Sequence, residues 1–258
     1  MAGNIGENTS KTAKICIGIG GWVFPPWRGT FYPKGLKQAD ELSHASRQIT
    51  AIEINGTFYG LQKPASYKRW HDDTPDGFVF SLKGSRFITH RKDLSTAGES
   101  LERFFDSGVT ELGEKLGPIL WQFAPFLHFD KGQFAAFLAL LPKRAGNRTL
   151  RHVLEVRHQS FADPSFVKLM EKHGAAIAQV EDEKHPAFEA VTADFVYARL
   201  RRCSEDEPTG YSPQALAAIH QRFEDHAKAG RDCFVYFING AKVRAPHAAM
   251  ALIERLTV

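Results

Sequence analysis

The feature that most constrains this chain is a regular alternation of short β-rich runs with helical patterns, sustained from residue 15 onward. Eight runs read as strands: 15–20, 49–55, 78–83, 119–123, 152–157, 175–181, 195–201 and 233–239. Helical patterns lie between most of them, at 64–72, 99–115, 131–141, 164–173, 213–229 and 246–256. Pro64, Pro164, Pro213 and Pro246 suit the first helical turn, where a missing N–H has no intrahelical partner to lose. Such alternation predicts parallel βαβ units. Eight units in 258 residues match a single α/β domain, a (β/α)₈ barrel of the triosephosphate isomerase type, which takes about 250 residues. The connection 22–37 has more turn signals than helix signals, so the first β/α unit is expected to be irregular.

No linker or composition break divides 15–258, and residues 1–14 read as a polar, flexible tail. The longest apolar run, 134–141, stops at Pro142, far below the roughly 20 residues of a bilayer span. No membrane segment is expected. Cys16, Cys203 and Cys233 have no CxxC spacing, which argues against a disulfide framework or a zinc knuckle and for the cytoplasm. With 33 Lys+Arg against 29 Asp+Glu, the formal charge of +4 is too small and too scattered to indicate nucleic acid by itself. The 20 Phe and 4 Trp predict an aromatic-rich core.

Strand parity places the charges. Outward side chains of a barrel strand pack under helices and must be apolar, whereas inward ones near the carboxyl end can be polar because the pocket opens there. In Ala51-Ile52-Glu53-Ile54-Asn55 the isoleucines take the outward side, leaving Glu53 and Asn55 inward. The same reasoning turns Ser81 and Lys83, Glu155 and Arg157, and Tyr197, Arg199 and Arg201 inward. It also assigns Gln179 and Glu181, Asn239, and Gly20 with Trp22 to the interior. Three carboxylates (Glu53, Glu155, Glu181) and four cations (Lys83, Arg157, Arg199, Arg201) would then converge on one mouth, and the cationic surplus favours an anionic ligand. Arg199, Arg201 and Asn239-Gly240 stand where barrels often hold phosphate, with Gly240 allowing close backbone approach. A purely charge-paired interior is the competing structural reading.

The segments Phe31-Tyr32-Pro33, Glu53-Ile54-Asn55-Gly56-Thr57-Phe58-Tyr59, Trp70, Phe80-Ser81-Leu82-Lys83, Thr89-His90, Leu120-Trp121-Gln122-Phe123, Glu155-Val156-Arg157-His158 and Val235-Tyr236-Phe237-Ile238-Asn239 follow one another in the order found in a known family. In these the chain resembles the YecE-like family, domain of unknown function seventy-two. The resemblance implies a triosephosphate-isomerase-type barrel and no particular reaction. The last third departs from the family pattern: Arg199-Leu200-Arg201-Arg202 stands where an Arg-x-His-Gly motif is expected. An Asn-Asn pair with a later Asn-Ala is reduced to Ile238-Asn239 and Pro246-His247-Ala248.

As chemistry, Glu53 and Glu155 are acid/base candidates, Lys83 a charge stabiliser, and His90 a proton shuttle on the loop after the third strand. Trp22, Asn55, Tyr59, Gln122, Arg157, Arg199, Arg201 and Asn239 are the candidate binding residues, and Trp22, Trp27 and Tyr59 could form a wall for a sugar ring. The leading expectation is an enzyme for a small anionic or sugar-like metabolite, working by acid/base chemistry (isomerase, lyase or hydrolase) without a nucleotide cofactor. Cations beside the carboxylates disfavour the hydrolase, whose acid must hold its proton. A divalent metal on Glu53, Glu155, Glu181 or Asp182 with His90 or His158, a nucleic-acid-binding or processing protein, and a non-catalytic scaffold remain as alternatives. Gly18-Ile19-Gly20-Gly21 fails as a dinucleotide fingerprint because Val23 holds the place of the third glycine and Pro25-Pro26 follow instead of a helix.

Overall fold

The computed structural model describes residues 13–181 and 185–256. The expected tail thus lies outside the described residues up to residue 12, and so does Asp182. Nine parallel strands make one sheet: β1 (Ile15–Gly20), β2 (Ala51–Ile54), β3 (Val79–Lys83), β4 (Leu116–Gln122), β5 (His152–Glu155), β6 (Ala176–Ile177), β7 (Gln179–Val180), β8 (Phe195–Leu200) and β9 (Asp232–Phe237). Their order is β6-β5-β4-β3-β2-β1-β9-β8-β7. The two ends of the sheet are halves of one expected strand, parted at Ala178. Val153 registers with Ala176 on one side and Ala198 with Gln179 on the other, so the sheet is a nearly closed barrel. The Ala178 amide donates to Leu154 O at 2.9 Å across the join.

The side chains sort into two apolar layers as strand alternation requires. Cys16, Ala51, Leu120, Val153, Phe195 and Phe234 fill the barrel interior. Ile17, Ile19, Ile52, Phe80, Trp121, Leu154 and Phe237 face outward under the helices. Phenylalanines dominate the outer layer, as in the group Phe123, Phe134, Phe161 and Phe166, with ring centroids about 5 to 6 Å apart.

Helices Pro64–Asp72 and Pro164–His173 have the expected bounds, and proline opens each. Asp163 accepts from the Ser165 amide at 2.7 Å and caps the second. The expected helix over 99–115 is instead Gly98–Asp106 followed by a 3₁₀ segment, Val109–Lys115. Gly108, at φ 101°, ends the first piece. The connection after β1 has only 3₁₀ turns at Pro25–Trp27 and Gln38–Asp40 and a five-residue helix, Glu41–Ala45. Fully buried Trp27 replaces a barrel helix there, edge-on to Phe24 and Phe31 and donating Nε1–H to Lys242 O at 2.9 Å. No helix of the described residues is long and apolar enough to cross a membrane.

Candidate active site at the barrel mouth

The barrel interior turns polar in steps towards the carboxyl ends of the strands. Ser81 of β3 and Tyr236 of β9 share a buried hydrogen bond of 2.7 Å. Above them, Tyr197 donates to Glu53 Oε2 at 2.7 Å. Arg199 then grips Glu53 with two parallel bonds, Nε to Oε2 and Nη2 to Oε1, each 3.0 Å. Its third nitrogen, Nη1, donates to Glu155 Oε2. The other oxygen of Glu155 accepts from Gln122 Nε2 at 2.9 Å and from Arg157 Nε and Nη2 at 2.9 and 2.8 Å. Glu53, Glu155 and Arg199 are all buried. A buried carboxylate is tolerable when paired and fully hydrogen-bonded, and both are.

This layer floors a cavity of about 670 Å³. Among the described residues its lining carries Lys83, Arg157, Arg199, Arg201 and Lys242 but no Asp or Glu. Lys83 ends β3, with Nζ 4.1 Å from the centre of the Phe58 ring. Trp22, half-buried and edge-on to Trp70 at 5.4 Å, and exposed Tyr59 form an aromatic wall. Asn55 and Gln122 line the same space. Asn239 reaches it by leaving the strand, since its backbone turns left-handed at φ 64°. In the amide orientation that satisfies both groups, its oxygen accepts from Arg201 Nε at 3.2 Å and Nη2 at 3.0 Å. Gly240, at φ 58°, packs against the Arg201 and Cys203 carbonyls, where a Cβ would come within 2.7 Å of either oxygen. It thus locks the loop after β9 to the loop after β8.

Two inward assignments are corrected. Gln179 registers beside outward Ala198 and accepts from Arg222 of the helix Pro213–Lys228. Glu181 shares that side, accepting from the Arg201 amide at 3.0 Å and from Tyr211 Oη at 2.7 Å outside the cavity lining. The run 175–181 has small alanines where other strands have bulky residues, so parity had nothing to anchor it. His90 is exposed and off the cavity lining, its ring 5.2 Å from that of Phe58. His158 turns away from Arg157 and hydrogen-bonds Ser160. Lys242, Gln62 and Trp70 also line the mouth. Parity could not find them because none sits in a strand.

Electrostatically the two key groups differ. Burial would raise the Glu155 carboxyl, but Arg199, Arg157 and the Gln122 bond outweigh it and hold it at about 2. Burial lowers the Lys83 ammonium to about 8, helped by Arg199 and only partly opposed by Glu53 and Glu155. Burial opposes charge on Arg199 too, yet Glu155 and Glu53 raise it, so it stays a cation. No three His, Cys, Asp or Glu side chains among the described residues gather as a metal site. The Arg199 guanidinium lies between the two carboxylates, where a divalent ion would have to bind, so this donor set does not fit one.

The family model described as "Protein of unknown function DUF72" matches residues 16–258. The chain belongs to the DUF72 family. Among curated relatives it is 27% identical to UPF0759 protein YunF of Bacillus subtilis (strain 168) over 59% of this chain and 54% of that protein. It is 26% identical to UPF0759 protein YecE of Escherichia coli O157:H7 over 69% of this chain and 71% of that one. The match thus spans only about half the length of YunF. A crystal structure of a DUF72 family protein from Thermotoga maritima MSB8 superposes with a TM-score of 0.76 at 20% identity, covering 95% of this chain and all of that one. One from Enterococcus faecalis V583 gives 0.71 at 16%, over 95% and 98%. These likenesses show a shared barrel. In this DUF72 protein the departures noted above fall just after β8 (Arg201-Arg202), just after β9 (Ile238-Asn239) and in the helix Ala245–Leu256 (Pro246-His247-Ala248), whereas the Glu53–Arg199–Glu155 layer lies on β2, β5 and β8.

Proposed function

We propose that this DUF72 protein is an enzyme that binds a small carboxylate- or phosphate-bearing, hydroxylated metabolite in the barrel mouth and moves a proton with Lys83. One observation carries the reading: among the described residues the cavity lining has five cations and no carboxylate, because Glu53 and Glu155 lie beneath it, bound to arginines. A concave site of one charge sign concentrates ligands of the other. Arg157 and Arg201 offer planar donors for carboxylate or phosphate, and Trp22 and Tyr59 supply faces for a sugar-like carbon skeleton. Glu155, ionised at any pH above about 2, is suited to orienting the arginines and not to donating a proton. Lys83, near 8, exchanges protons in the working range of an acid/base group. This favours isomerase or lyase chemistry over glycoside hydrolysis. Buried free thiols at Cys16, Cys203 and Cys233 are in keeping with a cytoplasmic home.

Calorimetry at low ionic strength tests the reading with inorganic phosphate, glucose 6-phosphate and glucose. The phosphates should bind and glucose at least tenfold more weakly. Arg157→Gln should weaken the phosphates by about 10- to 100-fold, the loss of a charge-assisted hydrogen bond. Equal binding of glucose and its phosphate, or no phosphate binding, overturns it. A steep gain in affinity for oligonucleotides over these small anions would point to the nucleic-acid alternative instead.

A further inference from the structure

Among the described residues two lysines are buried, and their surroundings differ in kind. Lys115 is a structural one: its Nζ donates to His71 O at 2.6 Å, Thr74 O at 2.7 Å and Thr74 Oγ1 at 3.3 Å. Lys83 is 7% exposed, yet among the described residues its Nζ makes no hydrogen bond and no ion pair. Its one close partner is the Phe58 face. The backbone that carries it is firmly held, with Thr57 Oγ1 donating to Lys83 O at 2.7 Å and the Gly84 amide to Leu120 O at 2.8 Å. An amine fixed at a strand end, lining a cavity, and set among Arg199, Arg157, Glu53 and Glu155 without a hydrogen bond to any of them resembles an activated nucleophile more than a buttress.

We propose that Lys83 is a carbonyl-trapping amine, and that the mouth takes small aldehydes or ketones bearing a carboxylate or phosphate and holds them as an imine on Nζ. The inference rests on the anion-binding reading above and names its substrate class. The ammonium first gives a proton to solvent. The nitrogen lone pair then forms the N–C bond while the C=O π pair moves to oxygen. One nitrogen proton transfers to that oxygen, and a proton returned from solvent completes a water molecule. Water leaves, and the iminium keeps one N–H. Burial and the Arg199 charge keep an appreciable share of Lys83 in the free amine form near neutrality, and Arg157 provides a seat for the substrate's anionic group.

Reductive trapping decides it. The wild-type chain is incubated separately with glyoxylate, pyruvate and glycolaldehyde phosphate at pH 8 with cyanoborohydride, and modified peptides are mapped. With at least one probe, Lys83 should be modified at least tenfold faster than the exposed surface residue Lys68. Excess inorganic phosphate should slow the reaction at Lys83 tenfold and leave Lys68 unchanged. Lys83→Arg should abolish the fast addition, while the wild-type peptide map locates it whether or not that variant folds. Modification of Lys83 no faster than of Lys68 with all three probes overturns the imine. If phosphate still binds in that case, the anion-binding reading stands alone. Fast trapping at Lys83 without phosphate protection keeps the imine and overturns the anion seat.

Discussion

Arg199 holds two carboxylates that would otherwise face each other in a dry layer, and Arg157 holds one of them again from above. The Glu155 carboxyl sits at about 2 instead of 4.5. A lowered carboxyl favours the folded state above its unfolded value, and the gain disappears as pH falls from about 4.5 through 2. Glu155→Gln should therefore lose about 3 kcal/mol at neutral pH, and the gap to wild type should close over that acid window in urea titrations. Lys83 has the opposite sign. Its folded value of about 8 lies below the ordinary 10.5, so the folded state resists the charge, with the full cost below pH 8 and none above 10.5. Lys83→Met should be more stable than wild type by up to about 3 kcal/mol at pH 7, with the advantage gone by pH 11. A residue kept at the expense of stability is what a functional site looks like.

At the scale of elements, the strands were readable because Ile52 and Ile54, or Leu154 and Val156, leave only one side free for the charges. Parity therefore located Glu53, Glu155, Lys83 and Arg199 correctly. It could not show that Arg199 grips Glu53 from 146 positions away, nor that Arg222 draws Gln179 outward. Those pairings depend on which strands close the ring. Gly18 explains a motif that read only as a failed cofactor loop. A Cβ there would lie 1.8 Å from Ala51 O, so β1 and β2 can pair only around a glycine. Gly18→Ala should cost about 3 kcal/mol or more, beyond ordinary overpacking because backbone must move. Thermal unfolding measures it.

For the molecule as a whole, the weakest stretch of wall is the join at Ala178. β6 and β7 contribute two registered pairs each, whereas β1 and β9 share five. Amides of residues 176–180 should exchange with deuterium at least tenfold faster than those of β1 and β9, as mass spectrometry of peptides would show. The ring order puts Glu53, Glu155 and Arg199 on β2, β5 and β8; two strands lie between β2 and each of the others, and the split strand β6/β7 lies between β5 and β8. β5 and β8 flank the join. The contact between Arg199 and Glu155 is thus a clasp that holds the barrel shut from within, at the place where its backbone ladder is thinnest. A ligand that drew Arg199 towards itself would loosen that clasp. Rigidity of the wall thus hangs on one guanidinium that also lines the mouth.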